Sequence, residues 1–448
     1  MRESMINKTP LVRRPFSTDT LGTLFASLLA TVLSLPSSIL IARFLGPDGK
    51  GVVTLVLLVT GQITAILSLG IEIAIIFYGG RLRWEIKELG NASIGLGILL
   101  GGTGILSGIA IFTLVLPKFL PGNLSLILIL MCLTIPMALT TNFLRSLIRV
   151  TGRIIEEGCL GVIAVLLNLI LISMALIAGF GLKGVFVAFW LGSILLTLLV
   201  LWFGGYLNFF EIRTGFAFPL WKPLIRYGIK LHIGSIFQSL NYRFDMYLVG
   251  FFLGAASVGW YSVSVGIAEW LWLVPSVLGT ALMQRVATTQ NQVNEIIGPI
   301  NRLTSGVLFV GILLLGCLGK WIIRLLYGGA FAPSFLPFLL LLPGIWAMGL
   351  WKNFMNDLSV RGYPVSKTYT SGIALILTLG LDILLIPRWG LNGAALASSI
   401  AYISAFLITL GYYCKITGFY PLDLLIIRWK DMVQLKTVVR NGLQYLFV

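Results

Sequence analysis

Midway along an apolar run, residues 231–254, stands the heptapeptide Asn241-Tyr242-Arg243-Phe244-Asp245-Met246-Tyr247. A guanidinium and a carboxylate flanked by hydrocarbon are costly: at the centre of a bilayer an ionisable side chain costs about 2.5–3.5 kcal/mol on insertion scales. Such groups are therefore candidates for function. A guanidinium offers a planar fork that matches phosphate oxygens in pairs, and a carboxylate can carry a proton or a metal cation. Glu269 lies near the middle of the next apolar run, 258–282, and Glu72 nearer one end of the run 52–78.

Each residue turns a helix by about 100°, so Arg243 and Asp245 point about 200° apart and cannot share one stripe. Each needs a partner on another helix or a water-filled cavity. Asn241 shares a face with Asp245, and Tyr247 with Arg243, by the i, i+4 rule. Glu269 is at the right depth to reach Arg243. Two readings stay open. Arg243 forms a buried ion pair with Glu269 or Asp245 that fixes helix packing, or it lines a cavity and attracts an anionic headgroup. In the second, Asp245, Glu269 or Glu72 can couple transport to H⁺ or Na⁺. Arg145 and Arg149 share a face at the end of the run 124–148; they either meet an incoming pyrophosphate or anchor that end at the membrane surface.

Other residues point to less chemistry. His232 is the single histidine, which excludes multi-His metal centres and Ser-His-Asp catalysis. The four cysteines form no C-x-x-C pair and read as packed, buried side chains. The turn "FLGPDGKG" (44–51) resembles a phosphate loop only superficially, because a Walker-type loop needs Ser or Thr after its Lys and here Gly51 follows Lys50. "GLGILLGGTGILSG" (95–108) sits inside an apolar run with no strand before it and reads as close helix packing through small residues. The aromatic "EWLWLVP" (269–275) suits either sugar stacking or the membrane interface.

The elements that must position these residues are membrane helices. Of 448 residues 58% are hydrophobic and 11% charged, against about 25% charged in a soluble domain. About 20 apolar residues cross the hydrocarbon, and such segments fall near 21–43, 52–78, 90–116, 124–148, 158–179, 184–207, 231–254, 258–282, 300–319, 331–356, 368–386 and 391–414. The expected fold is all-α and polytopic, with about twelve spans. The formal charge of +16 is distributed by sidedness. Arg2, Lys8, Arg13, Arg14 and alternate connectors, including Arg81, Arg83, Arg153, Arg226, Lys352, Arg361 and Lys367, carry most of it. The positive-inside rule then puts both termini in the cytoplasm. Contact with anionic lipid headgroups fits this charge, and nucleic acid is not needed to explain it. The tail, 415–448, has the spacing of an amphipathic surface helix.

The chain also repeats itself. "FLGPDGKG" (44–51) returns as "FLGAASVG" (252–259), Pro136 as Pro343, "RVTGR" (149–153) as "SVRGY" (359–363), and "GFGLKGVFVA" (179–188) as "PRWGLNGAALA" (387–397), in order and at nearly one spacing. The interval covers six spans, so the halves insert the same way up, as parallel repeats do in transporters. The shared turn glycines, Gly46 and Gly51 in one half and Gly254 and Gly259 in the other, are structural. The expected plan is a cytoplasmic arm (1–20), a six-helix bundle (21–207), a cytoplasmic linker (208–230), a second bundle (231–414) and the tail, with a cavity between the bundles.

A first span ending in "IARFLGPDGKG", a second half ending in "LIPRWGLNGAALASSIAYI" and twelve spans in two halves resemble the polysaccharide flippase family, which shares a superfamily with the multidrug and toxic-compound extruders and the lipid II flippase. The likeness runs from about residue 15 to 415. It implies a flippase that moves polyprenyl-pyrophosphate-linked oligosaccharide across the cell inner membrane through a cationic cavity by alternating access, without a cofactor. Its implied partners are the lipid-linked substrate, membrane lipids and polysaccharide polymerase machinery. A cation-coupled drug extruder is one rival, weakened because 21–43 holds no Asp or Glu, where the resemblance implies a coupling acid. A membrane-embedded glycan polymerase or ligase is another, weakened by short outer connectors and by the repeat.

Overall fold

The computed structural model describes residues 16–114, 125–206, 209, 215–276, 293–363, 365–426 and 428. The expected N-terminal arm up to residue 15, and nearly all of the expected tail helix beyond residue 426, lie outside them. Among the described residues every regular element is helical. In an apolar medium only such segments, which satisfy each backbone N–H and C=O internally, can span. Eight helices are long and apolar enough to cross a membrane.

Two of them are each a pair of passes joined at a glycine. Helix α1 (Phe16–Leu67) bends at Gly46, with φ 67° and ψ −173°. The second pass continues into α2 (Ile71–Gly80) after a break at Leu69 and Gly70. Then come α3 (Ile86–Leu114), the fourth pass split into α4 (Ser125–Cys132) and α5 (Thr134–Val150), α6 (Ile154–Ile177) and α7 (Gly181–Tyr206). The later half holds α8 (Trp221–Leu253), α9 (Ala255–Glu269), α10 (Val293–Tyr327), α11 (Phe335–Val360), α12 (Val365–Thr417), bent at Gly390, and the short α13 (Pro421–Leu425). Among the described residues, with α1 and α12 each counted as two, the eight helices long and apolar enough to cross a membrane give ten passes, and α8 and α9 stand where the seventh and eighth are expected.

The repeat is visible in the backbone itself. Gly46 and Gly254 have φ 67° and 84°, Gly152 and Gly362 have 77° and 91°, and Gly181 and Gly390 both have 57°. These are the glycines that the sequence repeat pairs. At Gly46 and Gly254 a Cβ would meet nothing within 4 Å, so the positive φ combined with an extended ψ, and not crowding, calls for glycine. Gly51 and Gly259 are different: both are helical and buried, so the reversal is complete before it reaches them and they serve packing. Lys50 donates across the bend to Ser38 Oγ at 2.9 Å, a structural tie in place of a phosphate contact.

The chain divides into two compact units, the first ending at Ser239 and the second starting at Leu240. The division falls within α8, whose first turns lie in the segment expected as linker. In the first unit α1 packs on α6 and α3 on α5. The glycine-rich run expected to be a packing face is one. A Cβ on Gly97 would stand 2.2 Å from Thr140 Oγ1, on Gly101 2.2 Å from Pro136 Cβ, and on Gly104 2.6 Å from Ile135 Cγ2. Where the second pass breaks, Gly70 lies against the backbone of Gly228, and His232 Nε2 sits 2.8 Å from the carbonyl oxygen of Ala65. The lone histidine thus satisfies a helix end.

In the second unit α11 packs along both arms of α12 and is flanked by α9 and α10. Near the end of α11, Asp357 accepts hydrogen bonds from Arg361 Nε and Tyr413 Oη, both at 2.7 Å. Of the cysteines only Cys132 is buried. Cys159 and Cys317 are exposed and Cys414 is intermediate, because helices surrounded by lipid place apolar residues outward as well as inward.

Candidate functional site

The second unit holds several of its ionisable side chains away from the helix ends. Arg243 and Asp245 leave α8 on opposite faces and find separate partners. Arg243 Nη2 lies 3.0 Å from Glu269 Oε2 at the end of α9. The pair is not sealed: the Arg243 side chain is 34% exposed and that of Glu269 18%. Tyr247, one turn on from Arg243, is half-buried and packs edge-on against Phe244.

Asp245 is turned inward. Its Oδ2 accepts from Tyr261 Oη at 2.7 Å and from Ser398 Oγ at 3.0 Å, and its Oδ1 from the Met246 N–H at 2.7 Å. Close by on α12 is Asp382, fully buried, with neither carboxylate oxygen hydrogen-bonded. One turn before it, Thr378 donates to Asn241 Oδ1 at 2.7 Å. Asn241 is 1% exposed, so it belongs to this inner cluster and not to a surface that a large solute reaches.

A buried carboxylate without a donor is costly in its charged form, and two that feel each other cannot both ionise uncompensated. The Asp245–Asp382 pair, with hydroxyls from Tyr261, Ser398 and Thr378 around it, has the oxygen-only chemistry suited to a proton or a hard cation. Among the described residues no group of three or more His, Cys, Asp or Glu forms a metal centre.

Sequence reasoning missed Asp382, although an acid within the expected span 368–386 is itself the signal. It also misassigned Lys352, grouped above with membrane-edge charges. In the structure Lys352 Nζ lies 3.6 Å from the centroid of Trp272 and 5.3 Å from that of Tyr242, next to Arg243 in mid-helix. Trp272, from the aromatic run, is buried and donates Nε1–H to the Ile345 carbonyl at 3.1 Å.

The first-unit candidates gather elsewhere. Arg145 Nη2 and Arg149 Nη2 lie 2.6 and 2.9 Å from one oxygen of Glu157, which is 6% exposed. Glu72, in the first turn of α2, is within electrostatic reach of both arginines and of His232. Here the cations already share an acid.

With this geometry in hand, the chain was compared with known proteins. It matches the family described as polysaccharide biosynthesis protein over residues 17–283. A search of curated proteins finds no match. Among solved structures, an inward closed conformation of the lipid II flippase MurJ is 15% identical, with 94% of this chain and 92% of that one covered at a TM-score of 0.75. An inward-facing multidrug resistance MATE family transporter of the MOP superfamily is 12% identical, over 89% and 98%, with a TM-score of 0.70. The Vibrio cholerae MATE transporter VcmN in its bent form is 14% identical, over 91% and 97%, with a TM-score of 0.62. The family model covers more than half of the chain, and these solved structures share its fold.

Proposed function

This chain belongs to the polysaccharide biosynthesis protein family, and from that premise we propose that it is a flippase for polyprenyl-diphosphate-linked oligosaccharide. It carries this lipid from the cytoplasmic to the outer leaflet of the cell inner membrane by alternating access, for cell-surface polysaccharide assembly. Polymerase machinery then receives the product. Both termini lie in the cytoplasm on this reading, in keeping with the basic connectors.

The observation that supports it most is Arg243. A guanidinium in mid-helix, held by one acid and still a third exposed, is free to trade that acid for a phosphate. Guanidinium–phosphate pairs are bidentate and charge-assisted. With a negative interior, outward movement of a dianionic diphosphate gains about 4.6 kcal/mol per 100 mV, at roughly 2.3 per charge. The Asp245–Asp382 pair supplies a place for a coupling cation, so that occupation by H⁺ or Na⁺ biases the carrier's two states.

The test is transport of a fluorescent polyprenyl-diphosphate glycan in liposomes containing the full chain. Arg243→Ala is expected to abolish flux while the protein keeps its thermal unfolding profile. Wild-type flux in that variant sinks the proposal. The fold shared with MATE transporters supports a drug-extruder reading as the rival; efflux of a cationic dye from the same liposomes, with no glycan flux, is its signature.

A further inference from the structure

We propose that Lys352 is the second cation of the Arg243 site and sets its preference for a diphosphate over a monophosphate headgroup. This rests on the flippase reading and gives a role to a residue that the charge pattern counts as a membrane-edge cation.

The charges on this face do not balance locally. Arg243 is paired with Glu269 at 3.0 Å, and both are within electrostatic reach of the Lys352 ammonium. Glu269 is thus shared by two cations, and Asp245, on the opposite face of α8, adds a lesser attraction to Arg243. Among the described residues no carboxylate forms an ion pair with Lys352. Its ammonium rests instead on the Trp272 ring, 3.6 Å from the centroid. That ring is fixed by its bond to Ile345 and by packing on Tyr242 and Tyr402, with centroids 5.0 and 6.3 Å away. The aromatic face keeps the charge tolerable in an apolar setting without neutralising it.

A cation held in this way has little to lose when an anion arrives, because a charge-assisted hydrogen bond to phosphate is stronger than ring contact at a part-exposed site. The two side chains also differ in the way two adjoining phosphates require. The guanidinium fork docks one phosphate in a fixed orientation, whereas the ammonium is a point charge on a flexible stem that can follow the second. A monophosphate fills the fork and leaves Lys352 on its ring. A diphosphate engages both.

The experiment compares polyprenyl diphosphate with polyprenyl monophosphate of equal chain length, bound to the purified full chain in nanodiscs. Wild type is expected to favour the diphosphate by roughly tenfold or more, as one extra charge-assisted hydrogen bond gives. In Lys352→Met monophosphate affinity stays within about twofold and diphosphate affinity falls to meet it, while Lys352→Arg restores the difference. A Lys352→Met protein that keeps the wild-type preference, or weakens both lipids equally, overturns the assignment and leaves the flippase reading standing. Wild type that binds neither lipid overturns both. Amine-reactive labelling of the wild type, read at the Lys352 peptide by mass spectrometry, needs no variant to fold. Protection by diphosphate alone supports the proposal; equal protection by the two lipids defeats it.

Discussion

In the first unit the ion pairs sit at helix ends, where Arg145 and Arg149 clasp Glu157, and the middle of α3 meets α5 through glycines with no room for a Cβ. In the second unit Arg243, Asp245, Asp382 and Lys352 stand within the helices, with Glu269 reaching Arg243 from the end of α9. The backbones are nevertheless repeats of each other, down to matched left-handed glycines. At the spacing that relates Gly46 to Gly254, the counterparts of Arg243, Asp245 and Glu269 are Leu35, Ser37 and Gly61. At the spacing that relates Gly181 to Gly390, those of Asp382 and Ser398 are Ser173 and Phe189. Geometry that both halves need has been kept in both, whereas at these positions charge stands in one; Lys352, at the spacing that relates Pro136 to Pro343, falls on Arg145. Such charge lowers stability in lipid, and the proposed flippase reading gives it a use.

The sharpest way to break this comparison is to neutralise the two inner carboxylates. Asp382→Asn and Asp245→Asn are each expected to lower gradient-driven flux by about a hundredfold or more, equivalent to roughly 2.7 kcal/mol. Because neither Asp382 oxygen is hydrogen-bonded, Asp382→Asn should leave thermal stability equal to or above that of wild type. Flux measured under imposed Na⁺ and H⁺ gradients identifies the ion, and unchanged flux under both removes the pair from the mechanism.

Moving a charge to the other unit tests the converse. Leu35→Arg puts a guanidinium at the position equivalent to Arg243 without a Glu269 equivalent, and is expected to cost about 2.5–3.5 kcal/mol of stability. The paired exchange Arg243→Leu with Glu269→Gln removes an ion pair that is partly exposed, so its cost is under about 1 kcal/mol. Unfolding in detergent, followed by circular dichroism, ranks the two. Equal losses would mean that the units do not differ as described. A smaller effect belongs to the first unit's glycine face. Gly101→Ala brings a Cβ within 2.2 Å of Pro136 Cβ, and such overpacking costs about 1–3 kcal/mol in the same assay. Headgroup selectivity, a property of the other unit, should not change.

How far these features can be read from the chain differs by feature, for physical reasons. Spans and turn glycines are legible because membrane thickness and φ > 0 geometry act on residue type directly. The Arg243–Glu269 contact is legible too, since depth and helical phase limit an intramembrane cation to few acids. Asp382 is harder, because its significance comes from Asp245 on another helix and nothing in its own neighbourhood in the chain announces the pair. Lys352 stands within a few residues of a span's end, so a charge count takes it for a surface anchor; only the position of Trp272 reveals otherwise. Helical phase put Asn241 on the face of Asp245 but did not tell whether that face meets solute or protein.

The last test concerns the premise that the two backbones are equivalent. Gly46 and Gly254 hold φ of 67° and 84°, with ψ of −173° and 179°, and nothing stands near enough to either to collide with a methyl group. Alanine at either place therefore meets only the intrinsic penalty of this extended, positive-φ region, which is essentially reserved for glycine and costs about 1–3 kcal/mol, free of the packing terms that make most substitutions hard to compare. Gly46→Ala and Gly254→Ala should lower the unfolding temperature by the same amount, and the double variant by their sum, since distant sites without shared partners add. A cost confined to one glycine would show that the matched angles arise from unlike constraints, and the repeat would then be a likeness of sequence without a common mechanical role.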